Sequence, residues 1–467
     1  MRLLFLILVF VIGQKAKATS TIELLDEDPI VIGKIEVFGN KKTKKTIILR
    51  EMTISVGDVL DPEDLEMEVE RSRRNILNTN LFIYVNADYE LHKNSIRICI
   101  DVQERLYLLP LPIIYLADRS FNEWWYNRNR DLSRIIYGIQ LNHTNLSGNG
   151  NHLKLKAYGG FVPFFELSYN RPYIDKRQRM GLRGGVFYST QKSFRFRTWD
   201  DQLDFFETDN RTIKRQGAFL EYSLRNALYH VNKVYLGYTE TTISDEATDL
   251  NENYFGTARN YLPYFTFKYD YQFLKVNNKQ YPLEGQSLRA NITAYGMGLS
   301  EHVNQASVNI SYIGYTSLGE KLYGSMETRG QVSIPKKQLY PFISGFGFRN
   351  AFVRGYDLNV IDGQHYALLK TDLKYELFNN SLDLSKFLKF EQFNTLPLAL
   401  YAKVYADAGY VRNFFPESSN STLSNKLLIG GGVGLDVVSF YDTAVQLSYS
   451  VNQSGFSKFY FGVSKGF

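Results

Sequence analysis

Residues 398–409 read LALYAKVYADAG. Leu398, Leu400, Ala402, Val404, Ala406 and Ala408 fall on one phase of a two-residue repeat, and Tyr401, Lys403, Tyr405 and Asp407 on the other. A strand sends successive side chains to opposite faces, so this one has a purely apolar face and a face mixing aromatic, basic and acidic groups. A soluble sandwich rests such an apolar face on a core, whereas a membrane barrel rests it on lipid and turns the polar face to a wet lumen. The neighbouring segments decide between them. Residues 151–158 set Leu153, Leu155 and Ala157 against His152, Lys154 and Lys156. Residues 287–295 set Leu288, Ala290, Ile292 and Ala294 against Arg289, Asn291 and Thr293. Residues 367–377 set Ala367, Leu369, Leu373, Tyr375 and Leu377 against Lys370, Asp372, Lys374 and Glu376. The apolar phase carries almost no charge and the polar phase carries both signs. About sixteen such segments begin near 133, 151, 161, 179, 213, 231, 260, 285, 304, 322, 342, 365, 397, 427, 441 and 458, more than one sandwich uses and an even number, as in single-chain bacterial barrels.

Composition agrees. Among 467 residues there are 34 Tyr and 33 Phe but only 3 Trp, which suits aromatic girdles at two membrane interfaces. The longest apolar run, residues 3–12, is ten residues against roughly 18 to 20 for a spanning helix, so helices do not carry this chain across a bilayer. Arg2, that run and Ala16-Lys17-Ala18 have the form of a secretory signal over residues 1–18, cleaved after Ala18. Cys99 is the one cysteine, so there is no internal disulfide. Residues 19–107 hold 12 Lys and Arg against 17 Asp and Glu, while the rest of the chain is net basic. That asymmetry separates two regions, and the thin spread of the positive charge argues against nucleic acid as a partner.

Residues 29–105 read as a small α/β domain. A β-branched stretch at 30–38 is closed by Gly39-Asn40, and a helix-like stretch at 43–52 follows. Asp61-Pro62-Glu63-Asp64 opens a second helix with Leu65, Val69, Ser72, Ile76 and Leu77 on one face. Two strands, near 82–91 and 95–103, complete the order β-α-α-β-β. Residues 106–132 read as a linker, in which Trp124 and Trp125 anchor the chain at the inner membrane interface, and residues 133–467 as the transmembrane β-barrel.

Two short motifs sharpen the barrel reading. Val353-Arg354-Gly355-Tyr356 lies in a long connection, and Tyr405-Ala406-Asp407-Ala408-Gly409 ends the strand quoted first. Together they resemble the outer-membrane assembly and secretion superfamily that includes the BamA and TamA types and the two-partner secretion transporters. The resemblance implies that the Arg354 loop tucks into the lumen and pairs with Asp407, a bond the inward phase of Asp407 independently allows. The C-terminal Phe459, Phe461, Val463 and Phe467 are similar to the insertion signal of such barrels, and the β-α-α-β-β domain is similar to a POTRA module.

The resemblance implies a bacterial outer-membrane location with the POTRA domain in the periplasm. It implies unfolded outer-membrane or secreted proteins as clients, lipid as surroundings and accessory periplasmic subunits as further partners. The expected function is assembly or translocation of client proteins, using the domain's edge strand at 82–91 and a barrel seam between the strands at 133–142 and 458–467. The alternatives are a two-partner secretion transporter with one dedicated substrate and, further off, a passive porin. No cofactor, metal or catalysis is expected. The six histidines form no HExxH pair, there is no GxSxG elbow, and Gly430-Gly431-Gly432-Val433-Gly434 lacks the spacing of a nucleotide loop and reads as a closely packed strand.

Overall fold

The computed structural model describes residues 29–465 except 93–94, 119, 176, 209, 253, 257–258, 301, 349–350, 384–394 and 440–442. The secretory signal at 1–18 and Phe467 lie outside the described residues.

The small domain contains β1 (Ile30–Phe38), α1 (Lys45–Leu49), β2 (Val59–Leu60), α2 (Pro62–Leu77), β3 (Phe82–His92) and β4 (Ser95–Glu104). Its sheet runs β2-β1-β4-β3, with β1 parallel to β4 and β3 antiparallel at the edge. The sequence order holds, with the two-residue β2 added between the helices. Pro62 at the first helical position costs α2 no hydrogen bond, because that N–H lacks an intrahelical partner in any case. Leu65, Val69, Ser72 and Ile76 then recur at helical spacing and are buried. They meet Ile32, Ile48, Phe82 and Ile98 in one core, each large side chain contributing about 1.5–3 kcal/mol.

The rest of the chain forms a single antiparallel sheet. Its first members are β5 (Leu108–Leu116), β6 (Ile135–Thr144), β7 (His152–Gly160), β8 (Phe164–Arg171) and β9 (Met180–Gln191), with a short helix α3 (Phe121–Asn127) between β5 and β6. A separate hairpin, β10 (Ser193–Trp199) with β11 (Gln202–Glu207), interrupts it. The sheet resumes with β12 (Ile213–Ala227), β13 (His230–Ile243), β14 (Tyr261–Val276), β15 (Gly285–Tyr295), β16 (Gln305–Ser317) and β17 (Leu322–Ile334). It ends with β18 (His365–Asp383), β19 (Thr395–Arg412), β20 (Leu427–Ser439), β21 (Thr443–Asn452) and β22 (Ser457–Lys465). The order is sequential, from β5 through β9 and β12 to β22, sixteen strands in all. The wall is uneven: β5 and β22 have nine residues each and β8 eight, against 19 in β18 and 18 in β19.

Two expectations need correction, and they offset each other in the count. The stretch read as a linker, 106–132, holds the first barrel strand, β5, so the seam lies between β5 and β22 and not at residues 133–142. The strand expected near 342 does not form. Residues 340–342 are one turn of 3-10 helix inside the long connection between β17 and β18, which folds back on itself through a Phe346–Ile361 bridge.

The small domain docks on the turns at one end of the sheet. Lys44 N–H donates to Gly148 O at 3.0 Å, and Asn145 Nδ2 donates to Thr43 Oγ1 at 2.8 Å. Arg225 grips the buried Glu51 with two bonds of 2.5 and 2.7 Å. The opposite end carries α3, the β10–β11 hairpin and the 335–364 connection. Trp124 and Trp125 therefore sit at the far end from the small domain and cannot anchor the chain at the inner interface. Trp124 instead donates its indole N–H to Asp131 O at 2.8 Å, closing the β5–β6 connection on itself.

Candidate functional site

The 335–364 connection descends into the lumen and is held there by charge, shape and an apolar plug. Val353 is fully buried and packs with Phe346, Tyr356, Ile361, Leu368 and Leu428. Next to it, Arg354 donates from Nε to Asp407 Oδ2 at 2.8 Å and from Nη2 to Oδ1 of the same carboxylate, while its own main-chain N–H adds a 2.9 Å bond. Nη1 reaches Asp372 at 2.5 Å, and Nη2 also meets Thr371 O at 3.2 Å. The guanidinium carbon lies over the Tyr405 ring, 3.9 Å from its centre, and Tyr405 is in turn held by Ser450 Oγ at 2.6 Å. One cation thus ties the loop to β18 and β19, and Tyr405 extends the tie to β21. The planar fork fits two carboxylates and a ring face at once, which an ammonium cannot do.

Glycine makes the approach possible. A Cβ at Gly430 would lie 1.9 Å from Arg354 O, and one at Gly409 would strike the Phe346 ring at 2.5 Å. At Gly432 it would meet Tyr449 O at 2.1 Å and the Tyr405 hydroxyl at 2.7 Å. The glycine run of β20 is therefore a floor without side chains beneath the loop. Gly355 turns the chain with φ +97°, and its carbonyl accepts from Asn452 Nδ2 at 3.0 Å, a second anchor on β21.

A second insertion comes from the opposite end. The 277–284 turn sends Tyr281 to Asp436 on β20 at 2.6 Å, where Lys403 also binds at 2.6 Å, and Tyr281 stacks on Tyr401. The same turn touches the small domain, since Lys279 Nζ donates to Asn78 O at 2.9 Å. At the far end the β10–β11 tip is buried at Asp201, whose carboxylate accepts from Ser421, Thr422 and Leu423, while its carbonyl accepts from Val360 N–H at 2.8 Å. Three connections are knotted together there.

The seam is of another kind. No main-chain ladder joins β5 to β22 among the described residues. Tyr107 O and Ala117 N–H bond to β6, so odd-numbered residues of β5 face β6 and even-numbered ones face the seam. Pro110 and Pro112 are both even, and the edge of β5 lacks a donor at each. Across the gap, α3 lies against β22. Asn122 Nδ2 donates to Phe461 O at 3.3 Å while Phe461 N–H donates to Asn122 Oδ1 at 3.2 Å, and the Tyr126 hydroxyl donates to Phe459 O at 3.2 Å. Ring contact of Phe121 with Phe461 completes the join.

A family model described as "Omp85 superfamily domain" matches residues 145–467, and one described as "Surface antigen variable number repeat", the POTRA model, matches residues 30–105. The chain belongs to the Omp85 superfamily. Among solved structures, BamA from Haemophilus ducreyi lacking POTRA domains 1-3 is similar over 93% of this chain and 84% of its own, at 16% identity and TM-score 0.52. CdiB from Escherichia coli is similar over 94% of this chain and 76% of its own, at 12% identity and TM-score 0.53. Such identities speak for the fold alone. No curated protein matches the chain by sequence.

Omp85 proteins are assembly factors or transporters that handle protein clients, and their barrels sit in the bacterial outer membrane with POTRA domains in the periplasm. In this Omp85 barrel Val353, Arg354, Gly355, Tyr356, Tyr405, Asp407 and Gly409 converge at one point on the lumen wall. Phe459, Phe461 and Val463 share one exposed face of β22. Sequence reasoning missed Asp372 as the second carboxylate, although its inward phase on β18 was readable. Asn122 carried no signal at all, because its partner is main chain.

Proposed function

We propose that this protein inserts client proteins into, or passes them across, the bacterial outer membrane, with the POTRA edge at β3 receiving extended chains and the β5–β22 seam releasing them sideways. The observation that carries this reading is a sheet whose first and last strands share no ladder among the described residues, with α3 and not β5 bonded to β22. An unpaired edge is a template for strand addition, because main-chain bonding accepts many sequences. With no nucleotide outside the inner membrane, the client's own folding and burial supply the driving force. The Arg354 network keeps the long loop on the strands leading to the seam, so the wall holds its shape while the seam yields. Release of a single dedicated substrate through the lumen, the alternative, would first require evicting both the 335–364 loop and the 277–284 turn. A passive porin meets the same obstruction and leaves the POTRA domain idle.

Depletion of the protein followed by an inventory of the outer membrane tests the proposal. Broad loss of barrel proteins supports it, loss of one secreted protein transfers the assignment to dedicated secretion, and an unchanged inventory and secretome overturns both.

A further inference from the structure

The outer face of the wall has a gap in its side chains near the end where the small domain docks. Paired residues of neighbouring strands point to the same face, so the register can be read as rows. Lys275, Gln286, Gly314 and Met326 form one row across β14 to β17. Thr316, Gly324 and Leu373 form the next, closer to the rim, across β16 to β18. Met326 and Leu373 are exposed on the phase that meets lipid, so both rows lie on the outside of the barrel. Gly314 and Gly324 leave a hollow there of about 710 Å³, between Tyr312, Leu318, Met326 and Leu373. The Tyr312 hydroxyl donates to Gln286 Oε1 at 3.2 Å, which steadies one side of it.

These glycines differ from those of β20. At Gly430 a Cβ would strike main chain, whereas at Gly314 its nearest neighbour would be the Tyr312 hydroxyl at 3.4 Å and at Gly324 a Leu318 methyl at 3.2 Å. The room they leave is open to the surroundings and is not taken by another part of the chain. Glycine inside a strand marks a place of close approach. What approaches the outside of a membrane barrel is hydrocarbon, because an apolar hollow facing lipid offers water too few polar partners. The rim adds a headgroup level. The 277–284 turn touches the small domain through Lys279, so this end of the groove is on the POTRA side. Lys275 is exposed there beside the Tyr229 ring, and exposed Glu284, Glu320 and Lys321 occupy the adjoining turns. The rim thus presents cations and carboxylates together. A headgroup with negative charge alone would meet two carboxylates it cannot satisfy, while one with a phosphate and a primary ammonium matches both signs.

We propose that this groove is a binding site for one zwitterionic phospholipid of the periplasmic leaflet, with a primary ammonium in its headgroup. One acyl chain lies over Gly314 and Gly324, the phosphate meets Lys275, and the ammonium donates to Glu284. The site backs onto the Arg354 network, since Met326 pairs with Thr371 and the Thr371 carbonyl accepts from Arg354 Nη2 at 3.2 Å. The lipid supplies from outside the packing that the two glycines withhold from the wall behind the loop. The site is remote from the seam and stands or falls apart from the client-handling role.

The test uses the full chain, labelled at its methionine methyls with carbon-13, in nanodiscs of phosphatidylcholine. A minor fraction of phosphatidylethanolamine carries a nitroxide on one acyl chain. Met180 of β9 is the internal control, because it is exposed on the outward phase at the same end, near Gln178, whose carbonyl accepts from Arg50 of the small domain. The Met326 methyl signal is expected to broaden about fivefold more than that of Met180, the excess that one cation at a charged headgroup provides. Equal broadening overturns the site, since the lipid would then be ordinary boundary lipid. Gly314→Leu fills the groove without touching main chain and should remove the excess. An excess that persists while heat-dependent gel mobility is unchanged overturns the glycine floor. Lys275→Ala leaves the packing alone and should remove most of the excess, and an unchanged excess overturns the headgroup contact. The same nitroxide chain on phosphatidylglycerol should give a smaller excess, and an equal or larger one overturns the choice of a zwitterionic lipid.

Discussion

The wall around Arg354 and the seam at Asn122 are both places where a connection is pinned to strands, but they are pinned by different chemistry. At the wall a partly buried guanidinium faces two carboxylates, of which Asp407 is fully buried, and the strands beneath it, β18 and β19, pair along nearly their whole length. At the seam a neutral carboxamide does the holding, and the strands it stands between do not pair. Breaking one partner of a buried ion pair costs about 3–5 kcal/mol, whereas a neutral hydrogen bond contributes about 1 kcal/mol. The strong fastening sits where the function proposed above needs a fixed wall, and the weak one where it needs release.

The contrast can be broken from its strong side first. Arg354→Ala should lower barrel stability by about 3–5 kcal/mol, read as the midpoint of heat-dependent mobility in detergent gels, because Asp407 and Asp372 are left without their cation. Asp407→Ala should resemble it, and the double variant should add little. Fully additive losses would show that the two do not act as a unit. Arg354→Lys should recover less than half of the loss, since one ammonium cannot fork between both carboxylates and stack on Tyr405.

Next comes the floor beneath the loop. Gly430→Ala should cost about 1–3 kcal/mol and loosen the loop without removing any charge, because the new methyl falls on Arg354 O. Protease sensitivity within 335–364 reports it, and protection equal to the parent would contradict the close approach. A weaker effect is expected where the small domain docks. Glu51→Gln should cost about 1–2 kcal/mol of docking, visible as broadened distances between spin labels on α2 and on the 225–229 turn. Smallest of all, Tyr126→Phe should leave barrel stability within about 0.5 kcal/mol of the parent, and a larger loss would mean that the seam is fastened as firmly as the wall.

Most strands from β6 onward could be read because each has one face on lipid and one on a polar lumen, which writes a period of two into the residues. β5 escaped for a physical reason. Its LLPLPIIYL has prolines where a central strand would need donors and few polar residues to mark an inward face. The false strand near 342 shows the converse error, since Leu339, Tyr340 and Phe342 are apolar in order to pack with Phe194, Tyr254 and Tyr264 in a cluster at the far end of the sheet and not against lipid. In the candidate site, Arg354 and Asp407 were visible through family-like motifs, and the glycine run showed that something must come close. What came close was the main chain of Arg354, and no pattern of side chains encodes that. Asn122 was hidden for the same reason.

The uneven wall acts on the lipid as well as on the loop. At about 3.3 Å per residue and a tilt near 40°, the nine residues of β5 or β22 stand roughly 23 Å high, while β19 rises to about 45 Å and β18 to about 48 Å. A hydrocarbon layer of about 30 Å is spanned with strand to spare at the tall side and must pinch at the short one, at a cost of fractions of a kcal/mol per ångström. The low stretch of wall, β5 to β8 with β21 and β22, includes the place where the sheet is open, so a hairpin leaving there, as proposed above, would have less oil to cross than one leaving at β18 or β19.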